Sequence, residues 1–260
     1  MGHAPRSAEG TLQRPSWPMR LWLAAPDWVF RLAGATIFFA YFLSRAQVYW
    51  VKPFWELGPY CIFPSGQRIQ MPWVVVLADL TFLQIALSFC FRIQARLRAS
   101  NGWTITYTLV TAVAPLIPIW TGPVCGYWNP EWEQTYYDFL WRTAYTWQLA
   151  LVYGIVMTIG FSLEVWGYAV LFRSLSIVPE ARDLKVTGPY RFVRHPIYLG
   201  QFIAQGGFLL IAARSHWLWI SLYVVFVAMQ LYRSKLEDRV LATAFGEPYR
   251  EWQRRTFWFV

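Results

Sequence analysis

Residues 187–200 read TGPYRFVRHPIYLG. One of the chain's three histidines stands here beside two arginines, at the threshold of an apolar run. Thr187-Gly188-Pro189 reads as a turn. Pro196 suits the first position of a helix, where its missing N–H has no intrahelical partner. That spacing puts His195 at or near the N-cap. The unpaired N–H groups and the positive end of the helix dipole attract anions there. Arg191 and Arg194 add donors that could hold a carboxylate or a phosphate. The other reading is that the arginines reach out to lipid headgroups while His195 merely caps the helix, and residue types alone leave both open.

A second stretch, residues 232–255, reads YRSKLEDRVLATAFGEPYREWQRR. Leu236, Val240 and Ala244 fall at helical spacing, and Arg233 and Glu237 stand at i and i+4, where they can pair. Gly246 marks the end of that helix and Pro248 opens a further short one. Glu237 and Asp238 are adjacent acids among basic residues. A helix lying on anionic lipid would favour basic residues at such positions, so the pair suggests a cation to be held. Arg31, Asp79 and Glu164 lie inside apolar runs, where a charge is costly and faces a bundle interior or a cavity; each reads first as a structural hydrogen-bonding partner. Gly154, Gly160, Gly167, Gly200, Gly206 and Gly207 allow close helix approach, and room for a flat ligand near Gly200 is the sharper alternative.

The elements that must position these residues lie in a membrane. Only 14% of the 260 residues are charged, 57% are hydrophobic and 20% aromatic, against about 25% charged in soluble domains. The net charge of +9 sits in short connectors and tails, which suits anionic headgroups and topology rather than nucleic acid. Cys61, Cys90 and Cys125 form no metal-binding spacing; Cys61 and Cys125 could pair if their side of the membrane is oxidising. The N-terminus resembles neither a signal peptide nor a myristoylation signal.

A spanning helix needs about 20 mostly apolar residues. Such runs occupy 28–47, 72–91, 103–122 (bent at Pro115 and Pro118) and 144–171. Two further runs, 197–213 and 215–232, are separated by Arg214 alone and read as a helical hairpin. With the N-terminus in the cytosol, seventeen of the 23 basic residues fall in cytosolic segments and five opposite, a strong positive-inside signal. The expected fold is all-α: a polytopic membrane protein of about six transmembrane helices, both termini cytosolic, with cytosolic C-terminal helices. Residues 1–27 form an N-terminal segment, 28–171 a four-helix region and 172–260 a C-terminal module. Residues 172–196 and 233–260 then meet at one membrane face.

The combination of GPYRFVRHPIYLG, an apolar hairpin and RSKLEDRVLATAFGEPYREW resembles the isoprenylcysteine carboxyl methyltransferase family and the related phospholipid N-methyltransferases. The residues that carry the resemblance are Arg194, His195, Pro196, Tyr198 and Gly200, then Glu237, Asp238, Leu241, Phe245, Gly246 and Tyr249. Asp238 departs from the usual second glutamate. The resemblance covers about the last 90 residues. It implies S-adenosylmethionine as methyl donor and an integral membrane methyltransferase acting on a lipophilic or membrane-borne acceptor, either an isoprenylcysteine carboxylate or a phospholipid amine. It also implies a bacterial inner-membrane or endoplasmic-reticulum location, with neither metal nor nucleic acid involved. Tyr190, His195, Pro196, Tyr198, Gly200, Glu237 and Asp238 would hold the donor. Arg194, Arg191 and Glu237 would serve the transfer, either arginine orienting a carboxylate acceptor. Two alternatives remain. Membrane sterol reductases carry a similar motif and bind NADPH, but have Asn and Glu where this chain has Ile197 and Gln201. A small-thiol methyltransferase would need no lateral entry for lipid.

Overall fold

The computed structural model describes residues 24–114, 117–132, 135, 146–208 and 217–260. The N-terminal segment up to residue 23, Pro115, Arg142 and the expected hairpin turn at Arg214 lie outside the described residues. The protein is mostly helical: α1 (Asp27–Ala46), α2 (Val48–Val51), α3 (Pro72–Phe91), α4 (Gly102–Val113), α5 (Ile117–Trp128), α6 (Trp147–Leu171), α7 (Pro196–Gly206), α8 (Trp217–Phe245) and α9 (Glu247–Arg255). Two short antiparallel ribbons depart from the all-α expectation. One pairs β1 (Tyr60–Ile62) with β2 (Arg68–Gln70), the other β3 (Leu97–Arg98) with β4 (Glu180–Ala181).

Among the described residues three helices are long and apolar enough to cross a membrane: α1, α3 and the helical run Trp147–Ser174. Trp28, Leu32, Ile37 and Leu43 stand exposed along α1, an apolar face suited to lipid. The six expected spans are not reached among the described residues. Over the run 103–122 the described residues belong to two 12-residue helices, α4 and α5. The second half of the expected hairpin, 215–232, is continuous with the acidic helix that follows it from Trp217 onward. With no Gly or Pro between Trp217 and Phe245, α8 runs unbroken for 29 residues into the acidic tail.

Helix α6 lies along both α7 and α3, and α1 packs on α3. The α6–α7 contact depends on small residues. A methyl at Gly160 would lie 2.6 Å from the Ala204 amide nitrogen, and one at Gly200 2.7 Å from Glu164 Cγ and 2.8 Å from the Gly160 carbonyl. Gly200 therefore gives close packing, with no space left for a flat ligand at its own Cα. Gly160→Ala is expected to lower stability by about 1–3 kcal/mol through overpacking, read as a fall in melting temperature in detergent; an unchanged melt would mean the two helices are not locked there.

The two ends of this layer differ. At one end Phe63, just past β1, meets Trp147 at the start of α6 in a tilted contact, with ring centroids 5.0 Å apart. At the other, the β3–β4 ribbon joins two connectors, and a buried charge network braces it. Arg92, Arg98 and Arg182 reach Asp27 at 2.9, 3.4 and 3.3 Å. Glu180 takes Arg98 at 3.4 Å and also bonds Arg182. Arg31 completes it, 2.7 Å from Asp27 within the first turns of α1. Asp79 pairs with Arg45 and accepts from Tyr49 at 2.6 Å. Arg31 and Asp79 are thus the structural partners their apolar settings suggested. Cys61 and Cys125 are both free thiols.

Candidate active site

The turn before α7 forms as its sequence requires. Gly188 takes φ 59°, a left-handed conformation that glycine adopts without cost, and a 3₁₀ turn covers Gly188–Arg191. His195 is the N-cap of α7 with Pro196 in the first turn, yet its side chain makes no capping bond. The imidazole turns to α8 instead. Its Nε2 lies 2.8 Å from Asp238 Oδ1, and its Nδ1 3.7 Å from Glu237 Oε2.

The adjacent acids have different surroundings. Asp238 is held on every side: Arg194 Nη1 donates to its Oδ2 at 2.7 Å, and the Tyr249 hydroxyl donates to Oδ1 beside His195. Burial favours the protonated acid, but the His195 hydrogen bond and charge, the Tyr249 bond and Arg194 outweigh it and hold Asp238 below the usual carboxylate value. Burial and the Asp238 charge raise the Tyr249 phenol, which keeps it a neutral donor. Arg194 is equally committed, since its Nη2 donates to the Val260 carbonyl at 2.7 Å.

Glu237 is freer. Its Oε1 accepts from the Tyr198 hydroxyl and lies 3.6 Å from Arg233 Nε, the i, i+4 pair expected from sequence. Its Oε2 accepts no hydrogen bond among the described residues. The hydrogen bond between His195 Nε2 and Asp238 Oδ1 leaves His195 Nδ1 facing Glu237 Oε2 at 3.7 Å, beyond hydrogen-bond distance. Glu237 Oε2 is therefore the carboxylate oxygen left open beside His195 among the described residues. That arrangement fits a donor supplied from outside, an ammonium or a hydroxyl. Buried Arg233 Nε also makes no hydrogen bond among the described residues.

Aromatic rings close the cluster. His195 stacks on Tyr198 with centroids 5.4 Å apart and meets Trp258 at 5.0 Å. The Trp258 indole donates to Ser234 at 2.8 Å. The C-terminal residues run beside residues 192–194: Arg194 N–H donates to the Phe257 carbonyl at 3.1 Å, and Phe257 N–H to the Phe192 carbonyl at 2.9 Å. Tyr190 is buried, its carbonyl taking the Trp252 indole N–H at 2.9 Å. Burial and the Glu237 charge push its phenol up.

The structure thus brings Arg194, His195, Tyr198, Glu237 and Asp238 together and sets Arg191 apart. Arg191 is exposed and makes no ion pair among the described residues. It lines a separate cavity of about 640 Å³ with Trp252, Glu251, Arg255 and Thr256. Pro196 and Gly200 shape α7 itself, and Glu164 is buried against Gly200. The parts that residue patterns did not single out are Trp258, the Val260 carbonyl and Ser234. The aromatic run Phe257-Trp258-Phe259 is the one signal that pointed to them.

No curated protein matches the chain. Residues 148–248, from the first turn of α6 to the first turn of α9, match the model of the phospholipid methyltransferase family.

Proposed function

We propose that the chain transfers the methyl group of S-adenosylmethionine to a lipid-borne acceptor at the cytosolic membrane face, with residues 172–260 as the methyltransferase module. The observation that supports this reading best is Glu237 Oε2, which accepts no hydrogen bond among the described residues and lies 3.7 Å from His195 Nδ1, beside the rings of Tyr198 and Trp258. His195 and Glu237 hold the donor's ammonium or ribose hydroxyls. Tyr198 fixes Glu237 through its hydroxyl and offers a ring to positive charge. Asp238 and Arg194 are positioning residues: they fix the His195 ring and the C-terminal chain. Tyr190, Pro196 and Gly200 set the backbone that presents His195. Arg191, on its separate cavity, takes no part in holding this donor.

S-adenosylmethionine supplies a methyl carbon already activated by positive sulfur, so transfer needs alignment and exclusion of water more than an acid–base pair. The aromatic walls do the excluding. Of the possible acceptors, the family match favours a phospholipid amine over a prenylated carboxylate.

Thermal stability in detergent tests the donor. Ligand at a hundred times its dissociation constant adds about 2.7 kcal/mol. S-adenosylmethionine is expected to raise the melting temperature of the wild type and not of His195→Ala. Stabilisation by NADPH in its place would support the reductase reading and remove this one.

A further inference from the structure

A second cavity, of about 460 Å³, opens at the end of the helix layer away from His195, beside the β1–β2 ribbon. Its polar lining is Arg45, Lys52, Glu56, Tyr60, Arg68 and Gln70. Three of the five basic residues that positive-inside counting places on the far side of the membrane converge here. Asp79 neutralises Arg45, and Glu56 is the remaining carboxylate of the lining, so Lys52 and Arg68 leave positive charge in surplus.

The wall is built before any ligand arrives. The Gln70 amide donates to the carbonyls of Glu56, Leu57 and Gly58 at 3.0, 2.9 and 2.8 Å. The Gln70 side-chain oxygen takes Arg68 Nε and Nη2 at 3.1 and 3.0 Å. Arg68 also lies over the Tyr60 ring, 4.1 Å from its centroid. Its Nη1 makes no hydrogen bond among the described residues, and Lys52 has no partner there either. In the segment that carries Lys52 and Glu56, Trp50 is 89% exposed and Trp55 70%, with Phe54 and the lining residue Tyr60 also exposed. Exposed aromatic side chains next to cations are what the headgroup layer of a bilayer selects.

We propose that this pocket binds the phosphate of an anionic phospholipid headgroup, held by Lys52 and Arg68, on the membrane face opposite the candidate active site. The exposed aromatic side chains favour a lipid over free phosphate, because a soluble anion would gain nothing from them.

Native mass spectrometry of the full chain in mild detergent tests this, with dioleoylphosphatidylglycerol, dioleoylphosphatidylcholine or inorganic phosphate added. The wild type is expected to retain phosphatidylglycerol over phosphatidylcholine. K52Q/R68Q is expected to hold phosphatidylglycerol about thirtyfold more weakly, because both cations that face the headgroup phosphate are neutralised. If the double variant fails to fold, K52Q alone, which breaks no hydrogen bond or ion pair among the described residues, is expected to weaken retention about fivefold. Equal retention of phosphatidylglycerol by wild type and variant would overturn the proposal. So would wild-type binding of inorganic phosphate without preference for phosphatidylglycerol, since the site would then be a seat for a soluble anion.

Discussion

Glu237→Gln lowers affinity for S-adenosylmethionine by about 10- to 100-fold and leaves the helices folded. The loss follows from the two acids' different surroundings. Asp238 is saturated by Arg194, His195 and Tyr249, whereas Glu237 has an oxygen without a hydrogen-bond donor. A hydrogen bond to a charged group is worth about 1.5–3 kcal/mol, and each 1.4 kcal/mol is a factor of about ten. Glutamine keeps an oxygen for the Tyr198 hydroxyl, so the local packing survives. Calorimetric titration of the purified protein measures the affinity, and the melting curve without ligand checks the fold. Wild-type affinity in Glu237→Gln would take Glu237 out of the binding site.

Asp238→Ala has the larger effect on the fold. It leaves Arg194 buried with one of its two partners gone and removes the acceptor that orients His195. Removing one member of a buried charge pair costs about 3–5 kcal/mol. The consequence is expected first where Asp238 acts as a clasp, on residues 192–194 and 256–260, seen as early proteolysis of the C-terminus and a lower melting temperature. The same contact predicts a pH dependence. Because the folded protein holds Asp238 below its ordinary value, its contribution is fully present above the ordinary carboxylate value. That contribution is lost as pH falls through the depressed one. Melting temperature should therefore drop in acid in the wild type and less steeply in Asp238→Asn. Parallel acid profiles for the two proteins would show that Asp238 is not the group concerned.

Local chemistry was legible wherever the signal was local. The turn at Gly188, the start of α7 at Pro196, the Arg233–Glu237 pair and the break at Gly246, where φ is 61°, all follow from residues within a turn of each other. Packing of α6 on α7 was also legible, because small residues recur on both helices. What could not be read is pairing over distance. Nothing in the types of Arg194 and Asp238 says that residues 44 apart in sequence will bond, or that Trp258 will close over His195. Ribbons of two or three residues carry too little periodicity to be seen. The network of Asp27, Arg92, Arg98, Glu180 and Arg182 looked in sequence like scattered connector charge. Only tertiary contact makes it a brace. The fall in hydropathy after Tyr232 marks where a membrane could end, while helix α8 runs on to Phe245 and ends where Gly246 permits it.

The most direct test of methyl transfer is to incubate the full-length protein with S-adenosylmethionine carrying a labelled methyl group and vesicles containing phosphatidylethanolamine. The lipid is then extracted and the labelled product identified. The account predicts label on the lipid with wild-type protein and at least a tenfold loss with Glu237→Gln at a donor concentration below saturation. A folded wild-type protein that leaves phosphatidylethanolamine, prenylated cysteine and whole membrane-lipid extract all unlabelled would contradict it.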